Sequence, residues 1–135
     1  MIERGTIEAL LREAYDARKR GDVEGVRRCF VDNPHFELAG AAHASPVAVR
    51  AMDGDAFRAV LSGLVEAFEF LDHEILSLLV DGPRAAVHAR ARVRSRATGE
   101  EATTQFADII AFENGRIASF TEFCDTALAA KMMGG

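Results

Sequence analysis

The sequence predicts an α+β fold, with helices gathered at the front of the chain, an antiparallel sheet at the back, and the helices covering one sheet face. Three observations carry that expectation. Apolar residues recur at helical spacing in the first half, and from Glu69 onward the period changes to two. The alternating half is then cut by turn signals at Asp81-Gly82-Pro83, Thr98-Gly99 and Asn114-Gly115, which leaves four strands.

The 135 residues make a single domain, 1–135, long enough to bury a core without disulfides or metal. Hydrophobic residues at 49% and charged residues at 27% fit a soluble globular chain. No apolar run approaches the ~20 residues of a membrane span. The start, Met1-Ile2-Glu3-Arg4, lacks the apolar stretch of a signal peptide, so the expected location is the cytoplasm. A net charge of −5 argues against nucleic acid as the main partner. Cys29 and Cys124 sit in unrelated contexts and are expected reduced. His35, His43, His73 and His88 show no HxH or HxxxH spacing, so no metal site is expected.

The elements follow in order. A first helix is predicted from about Thr6 to Arg20, with Ile7, Leu10, Leu11, Ala14 and the stem of Arg18 on one face; Gly21 ends it. Asp22 can cap a short helix that turns Val26, Cys29 and Phe30 inward and stops near Asn33-Pro34. A strand over His35–Ala39 and a loop to about Pro46 come next. The third helix is the clearest, capped by Asp53 or Asp55 and carrying Phe57, Val60, Leu61, Leu64, Val65 and Phe68 on one stripe. After the four strands, Asp125 can cap a final short helix through Ala127–Met132.

Residues 87–94 alternate strictly, with Val87, Ala89, Ala91 and Val93 toward the helices and His88, Arg90, Arg92 and Arg94 outward. That outer arginine face reads as a solvated surface or part of a dimer interface. The Asn114-Gly115 hairpin permits a two-residue or a three-residue loop, and these differ by one residue of register, which changes every cross-strand relation. The three-residue loop gathers more bulk inside and is preferred. It sets Asp108 opposite Phe120 and Phe106 opposite Glu122, so that the two acids are diagonal neighbours about 7–8 Å apart at the backbone. Closing the preceding hairpin around residues 97–100 then puts Ala89 beside Asp108 and Ala91 beside Phe106.

Asp108 interrupts an oily strand, Phe106-Ala107-Asp108-Ile109-Ile110-Ala111-Phe112, on the same face as Phe106, Ile110 and Phe112. An unpaired buried carboxylate costs several kcal/mol, so the group must be protonated, partnered or lining a cavity. The small Ala89 and Ala91 beside it leave space or admit a close helix. Glu122 either lines the same pocket or pairs with an arginine. Tyr15, the only tyrosine, is either a core residue with a surface hydroxyl or a pocket donor. His43 and Met52 fall in or near a loop that would cover the pocket mouth. Cys124 is inward without a histidine partner in sequence.

The order of elements resembles the nuclear transport factor two-like superfamily, a cystatin-like α+β cone whose curved antiparallel sheet carries helices on its concave face. The stretches Phe112-Glu113-Asn114-Gly115-Arg116-Ile117 and Thr121-Glu122-Phe123-Cys124-Asp125-Thr126 resemble the ending of its SnoaL-like members, and related ketosteroid isomerases, limonene epoxide hydrolases and polyketide cyclases share the scaffold. By this resemblance Asp108 falls where ketosteroid isomerases place an aspartic acid kept neutral to donate a hydrogen bond. Glu122 falls where the epoxide hydrolases carry one of two acids. The isomerase's proton-shuttling base would fall at Leu38 and its tyrosine at Ala14, one position from Tyr15, or about 100° around the helix. The hydrolase's arginine and aspartate would fall at Ala89 and Ala91. Steroid isomerisation and epoxide hydrolysis by those mechanisms are therefore not expected. Relatives commonly dimerise through the outer sheet face.

The resulting expectation is a cytoplasmic homodimer with a mostly apolar pocket for a small hydrophobic molecule, lined by Tyr15, Phe36, Leu38, Ala89, Ala91, Phe106, Ile110, Phe120 and Cys124. Asp108 would act as principal acid/base with Glu122 assisting, in isomerisation, cyclisation or dehydration of a carbonyl compound, without metal or organic cofactor. The competing expectation is a non-catalytic ligand-binding or dimeric accessory protein. An open pocket with both acids unpaired favours the enzyme; an acid tied to an arginine favours binding.

Overall fold

The chain runs α1 (Arg4–Arg20), α2 (Val23–Arg27), β1 (Phe30–Leu38), β2 (Val49–Ala51), α3 (Gly54–Ala67), β3 (Phe68–Asp81), β4 (Arg84–Ser95), β5 (Glu101–Glu113), β6 (Arg116–Phe123) and α4 (Thr126–Met132) in a computed structural model that describes residues 2–134. The strands form one curled, unclosed sheet in the order β2-β1-β6-β5-β4-β3, antiparallel except where β1 runs parallel to β6. The α+β architecture is the one expected.

α1 ends where the sequence says it must. Gly21 takes a left-handed φ of 72°, and the next N–H, from Asp22, reaches back 2.9 Å to the Ala17 carbonyl. Its buried stripe is Ile7, Leu11, Ala14, Tyr15 and Ala17, so Tyr15 rather than Leu10 completes the inner face. The Asp22 carboxylate caps α2 by accepting from Gly25 N at 2.9 Å.

α2 is shorter than predicted, and Phe30 belongs to β1 instead of a helix. Parallel pairing with β6 is the reason: Phe30 stands beside Ile117, and Ile117 N donates to the Cys29 carbonyl at 2.8 Å. Pro34, which has no N–H to give a ladder, falls in the irregular stretch between Phe30 and His35. The three-residue β2 was not anticipated; it pairs with Phe36–Leu38 and is too short to show an alternation.

Asp53 caps α3 by accepting from Ala56 N at 2.8 Å, and Phe57 and Leu61 are its most buried side chains. Gly54 is required there, because a Cβ would collide with the Asp32 carbonyl oxygen of β1. Gly54 N also donates to Asn33 Oδ1 at 3.0 Å, which fixes the start of α3 against the first strand.

The face assignments of the sheet hold, but both predicted registers change. In β4, Val87, Ala89, Ala91 and Val93 are buried and the intervening arginines exposed. The β4–β5 hairpin closes one residue earlier than expected, with Ser95 N bonded to Glu100 O at 2.8 Å. Val87 therefore faces Asp108, Ala89 faces Phe106 and Ala91 faces Thr104, each two residues from the predicted pairing. At the β5–β6 turn the loop has two residues, Asn114 and Gly115, at φ of 52° and 76°. An irregularity at Ala118 then shifts the register by one more residue, so Asp108 stands directly opposite Glu122 rather than diagonal to it.

The apolar core lies between the helices and the inner sheet face. On the outer face, Arg90 pairs with Glu74 and Arg92 with Glu101, so the basic stripe is partly neutralised across strands. Leu79, Ile109 and Phe123 are exposed. Among the described residues no helix is long and apolar enough to cross a membrane.

Candidate active site

Leu38, Glu122 and Asp108 form one cross-strand row over β1, β6 and β5 on the face covered by helices. Into that row α1 projects Tyr15 and, one turn later, Arg18. The Tyr15 hydroxyl donates to Asp108 Oδ2 at 2.6 Å in a buried setting. Asp108 is 1% exposed, and its other oxygen, Oδ1, has no conventional donor. Glu122 stands directly opposite on β6, and two carboxyls brought together in a buried setting do not both ionise freely.

Burial raises the Asp108 carboxyl well above the usual range, the neighbouring Glu122 carboxyl raises it further, and the Tyr15 bond pulls the other way. Glu122 is also raised by burial, with the charge of Arg18 opposing the shift. Both carboxyls are thus raised, and Arg18 favours the ionised form at Glu122 rather than at Asp108. Tyr15 stays a neutral donor, its phenol raised well above 10 by burial and then by Asp108.

Two further side chains complete the site. His73 stacks on the Tyr15 ring with centroids 4.4 Å apart, and burial lowers its pKa, which keeps the imidazole neutral. Arg18 Nη2 donates to the carbonyls of Leu64 at 3.3 Å and Phe68 at 2.9 Å, with the guanidinium 4.1 Å above the Phe70 ring. Burial, the largest cause, lowers Arg18 to about 10, so it is a cation at neutral pH. Neither acid lies within 4.0 Å of an arginine nitrogen, so neither is tied to one.

The acids border two adjoining cavities. The larger, about 80 Å³, is walled by Leu38, Val47, Phe68, Cys124, Leu128 and Met132 among others. The second, about 70 Å³, is walled by Tyr15, Phe36, Phe57, His73, Asp108 and Phe120. Arg18, Leu64, Phe70, Phe106 and Glu122 border both and mark their junction. Beyond that junction the walls are mostly apolar, with Thr104 and Asp125 the polar residues of the larger cavity and Tyr15, His73 and Asp108 those of the smaller, which suits a small hydrophobic ligand with a polar group.

Tyr15, Phe36, Leu38, Phe106, Phe120 and Cys124 thus lie on cavity walls. Ala89, Ala91 and Ile110 do not: each is at most 1% exposed and packed in the core, so the small alanines admit close packing rather than space. His43 and Met52 are exposed, and Val47 is the residue of that loop that reaches the cavity. Burial pushes the Cys124 thiol up to about 11, leaving it an unreactive wall.

Sequence reasoning missed Arg18 and His73 and left Tyr15 between two readings. Tyr15 was recoverable, since it lies eight residues after Ile7 and four after Leu11 on the buried stripe. His73 was not, because β3 is irregular between Phe70 and Asp72 and that break carries an odd-numbered residue inward. Arg18 was counted for its stem alone. Among the described residues no group of three or more His, Cys, Asp or Glu side chains could hold a metal ion.

The chain belongs to the SnoaL-like domain family, whose model matches residues 11–120. No curated protein sequence matches it. Solved structures share the fold at low identity. A candidate isomerase from Bacillus subtilis superposes with a TM-score of 0.88 at 15% identity, covering 100% of this chain and 97% of that one. An NTF2-like protein of unknown function from Burkholderia pseudomallei gives 0.80 at 21%, covering 96% and 98%. A candidate polyketide cyclase from Xanthomonas campestris gives 0.76 at 14%, also covering 96% and 98%. These likenesses establish the NTF2-like fold that the sequence resemblance implied.

Proposed function

We propose that this SnoaL-like protein is an acid/base enzyme of the isomerase or cyclase type, acting on a small hydrophobic carbonyl compound without a metal or organic cofactor. The observation that carries the reading is the opposed pair Asp108–Glu122 beside two adjoining, mostly apolar cavities, with Tyr15 bonded behind Asp108. Two carboxyls that differ in protonation supply a base and an acid at the same pH.

Glu122 is the member that meets the substrate, because it borders both cavities while Asp108 borders one and is nearly sealed. This reverses the ranking read from the sequence. Glu122 is also the cross-strand neighbour of Leu38, the position where the isomerase resemblance places a base. A carboxylate one strand over takes the place of the residue that Leu38 cannot replace. In the reaction the Glu122 carboxylate removes a proton from the carbon next to the carbonyl, the C–H electron pair becomes the enolate C=C, and the proton returns to a different carbon. Asp108, held by Tyr15, keeps its own proton and sets the basicity of the Glu122 carboxylate that faces it.

The test is deuterium exchange in D₂O, followed by proton NMR, over a panel of hydrophobic β-diketones and β,γ-unsaturated ketones. Wild type is expected to exchange the α-protons of at least one of them tenfold or more faster than buffer, with Glu122→Gln losing the acceleration. If ligands bind, by thermal shift, and none exchanges, the protein is a non-catalytic binder. The near-complete burial of Asp108 is the observation favouring that second reading.

A further inference from the structure

We propose that Arg18 is a catalytic residue of this site. The carbonyl oxygen of the ligand lies between Glu122 and Arg18, and the guanidinium takes up the negative charge that forms on it. The inference rests on the acid/base reading above and adds the group that reading lacks, a stabiliser for the enolate oxygen.

Arg18 is placed for this by neutral partners. One nitrogen, Nη2, spends its hydrogen bonds on the Leu64 and Phe68 carbonyls at the C-terminal end of α3, and the Phe70 ring supports the guanidinium plane. Nε and Nη1 have no hydrogen-bond partner among the described residues, yet neither is sealed off, since the buried unpartnered side-chain atoms are Ser45 Oγ and Asp108 Oδ1. Arg18 and Glu122 both border both cavities and stand farther apart than the 4.0 Å of a direct ion pair. A cation with free N–H donors and an anion thus face one apolar space with a gap between them. An oriented donor set of this kind, fixed before the ligand arrives, is what stabilises a developing oxyanion.

The charge balance names the substrate class. At the junction of the two cavities Arg18 is the cation and Glu122 the acid that faces it, while Asp125 stands on the wall of the larger cavity. When Glu122 accepts the α-proton it becomes neutral, and the electron pair of the broken C–H bond moves through the new C=C to the carbonyl oxygen. The counter-charge of Arg18 passes from Glu122 to that oxygen, so the transfer leaves the net charge of the cavity unchanged. A carboxylate substrate would add an uncompensated negative charge in an apolar space. The site therefore selects an uncharged ketone, ester or thioester.

Phenols test the inference without turnover, since a bound phenol can give its proton to Glu122 and leave its oxyanion on Arg18. Binding of 4-nitrophenol and 2-naphthol is measured by absorbance across pH, with wild type, Arg18→Lys, Arg18→Met and Glu122→Gln. In wild type the bound phenols are expected to ionise at least one pH unit below their value in water. Arg18→Met should bind them un-ionised, Arg18→Lys should restore part of the shift, and Glu122→Gln, which removes the competing anion and leaves Arg18 in place, should keep the shift, the proton going to solvent. Phenols that do not bind, or that bind wild type un-ionised, overturn the role of Arg18 even if Arg18→Met does not fold. A phenolate equally favoured in folded Arg18→Met overturns it too. Ethyl benzoylacetate should raise the melting temperature and benzoylacetate should not; the reverse overturns the substrate class. Loss of carbonyl exchange with phenol ionisation intact would remove the enzyme reading alone.

Discussion

The hydroxyl of Tyr15 donates a 2.6 Å hydrogen bond to Asp108 Oδ2, joining the first helix to the fifth strand inside the cavity. It is the one hydrogen bond the buried carboxyl receives among the described residues, because Oδ1 has no partner. Tyr15→Phe leaves both oxygens without a protein donor and should cost about 1–3 kcal/mol in urea unfolding. The Tyr15 bond lowers the Asp108 pKa, so its loss should push that carboxyl further up. In an Asp108→Asn background the same change should cost measurably less if the two side chains act as a pair; additive costs would show that they do not.

Asp108 also sets how stability depends on pH. Its folded pKa lies above the ordinary aspartate value of about 3.9, so the native state binds the proton more tightly than the unfolded chain. The stabilisation is complete below the unfolded pKa and is lost as pH rises through the folded one. Wild-type stability should therefore fall from about pH 4 upward. Asp108→Asn keeps an acceptor for Tyr15 and offers Glu122 an N–H, with no carboxyl to desolvate. Its stability should vary less with pH and should equal or exceed wild type at neutral pH, by about 1 kcal/mol or more. Parallel curves for the two proteins would show that Asp108 is not the protonated group.

What the sequence made legible was the set of inward faces, because period-two alternation survives in β4 and β5 without interruption. Asp108 and Glu122 were placed on one face by the three-residue loop, which gathers more bulk inside but is not the turn the chain makes. Their direct opposition was not legible, since it depends on a two-residue turn followed by an irregularity at Ala118 that no side-chain pattern announces. Taken alone, that turn would have put the acids on opposite faces; the irregularity restores them. The same kind of break in β3 hid His73. Arg18 was hidden differently: a long side chain buries its stem in either case, and only the α3 carbonyls show where its head is held.

The turn can be tested directly at Asn114. A two-residue loop needs a left-handed backbone at this position, and Asn114 has φ of 52°. A three-residue loop would place it in the ordinary right-handed region, where alanine costs nothing. Asn114→Ala should therefore destabilise the protein by about 1 kcal/mol, and Asn114→Gly should cost little. Urea denaturation of the two variants decides it, since equal stability of alanine and asparagine would contradict the two-residue turn.

α4 forms part of the wall of the larger cavity through Leu128, Ala129 and Met132. Asp125 caps this helix by accepting from Leu128 N at 3.0 Å, and its far end is latched to the β4–β5 hairpin. The latch is Ser95, 1% exposed, which donates from Oγ to the Met132 carbonyl at 2.5 Å; Thr98 Oγ1 reaches the same oxygen at 3.4 Å. The Lys131–Glu100 pair beside it is solvent-exposed and adds little. A seven-residue helix has no stability of its own, so its order depends on these contacts and on Leu128 and Met132 packing inward. Ser95→Ala removes the buried donor and should cost about 1 kcal/mol. The effect should be local. Amide hydrogen exchange in α4 should quicken by about fivefold, the equivalent of that free energy, while α3 and β5 keep wild-type protection. Exchange by mass spectrometry reads both regions in one experiment, and an α4 that exchanges at the wild-type rate would mean that packing alone holds the wall in place.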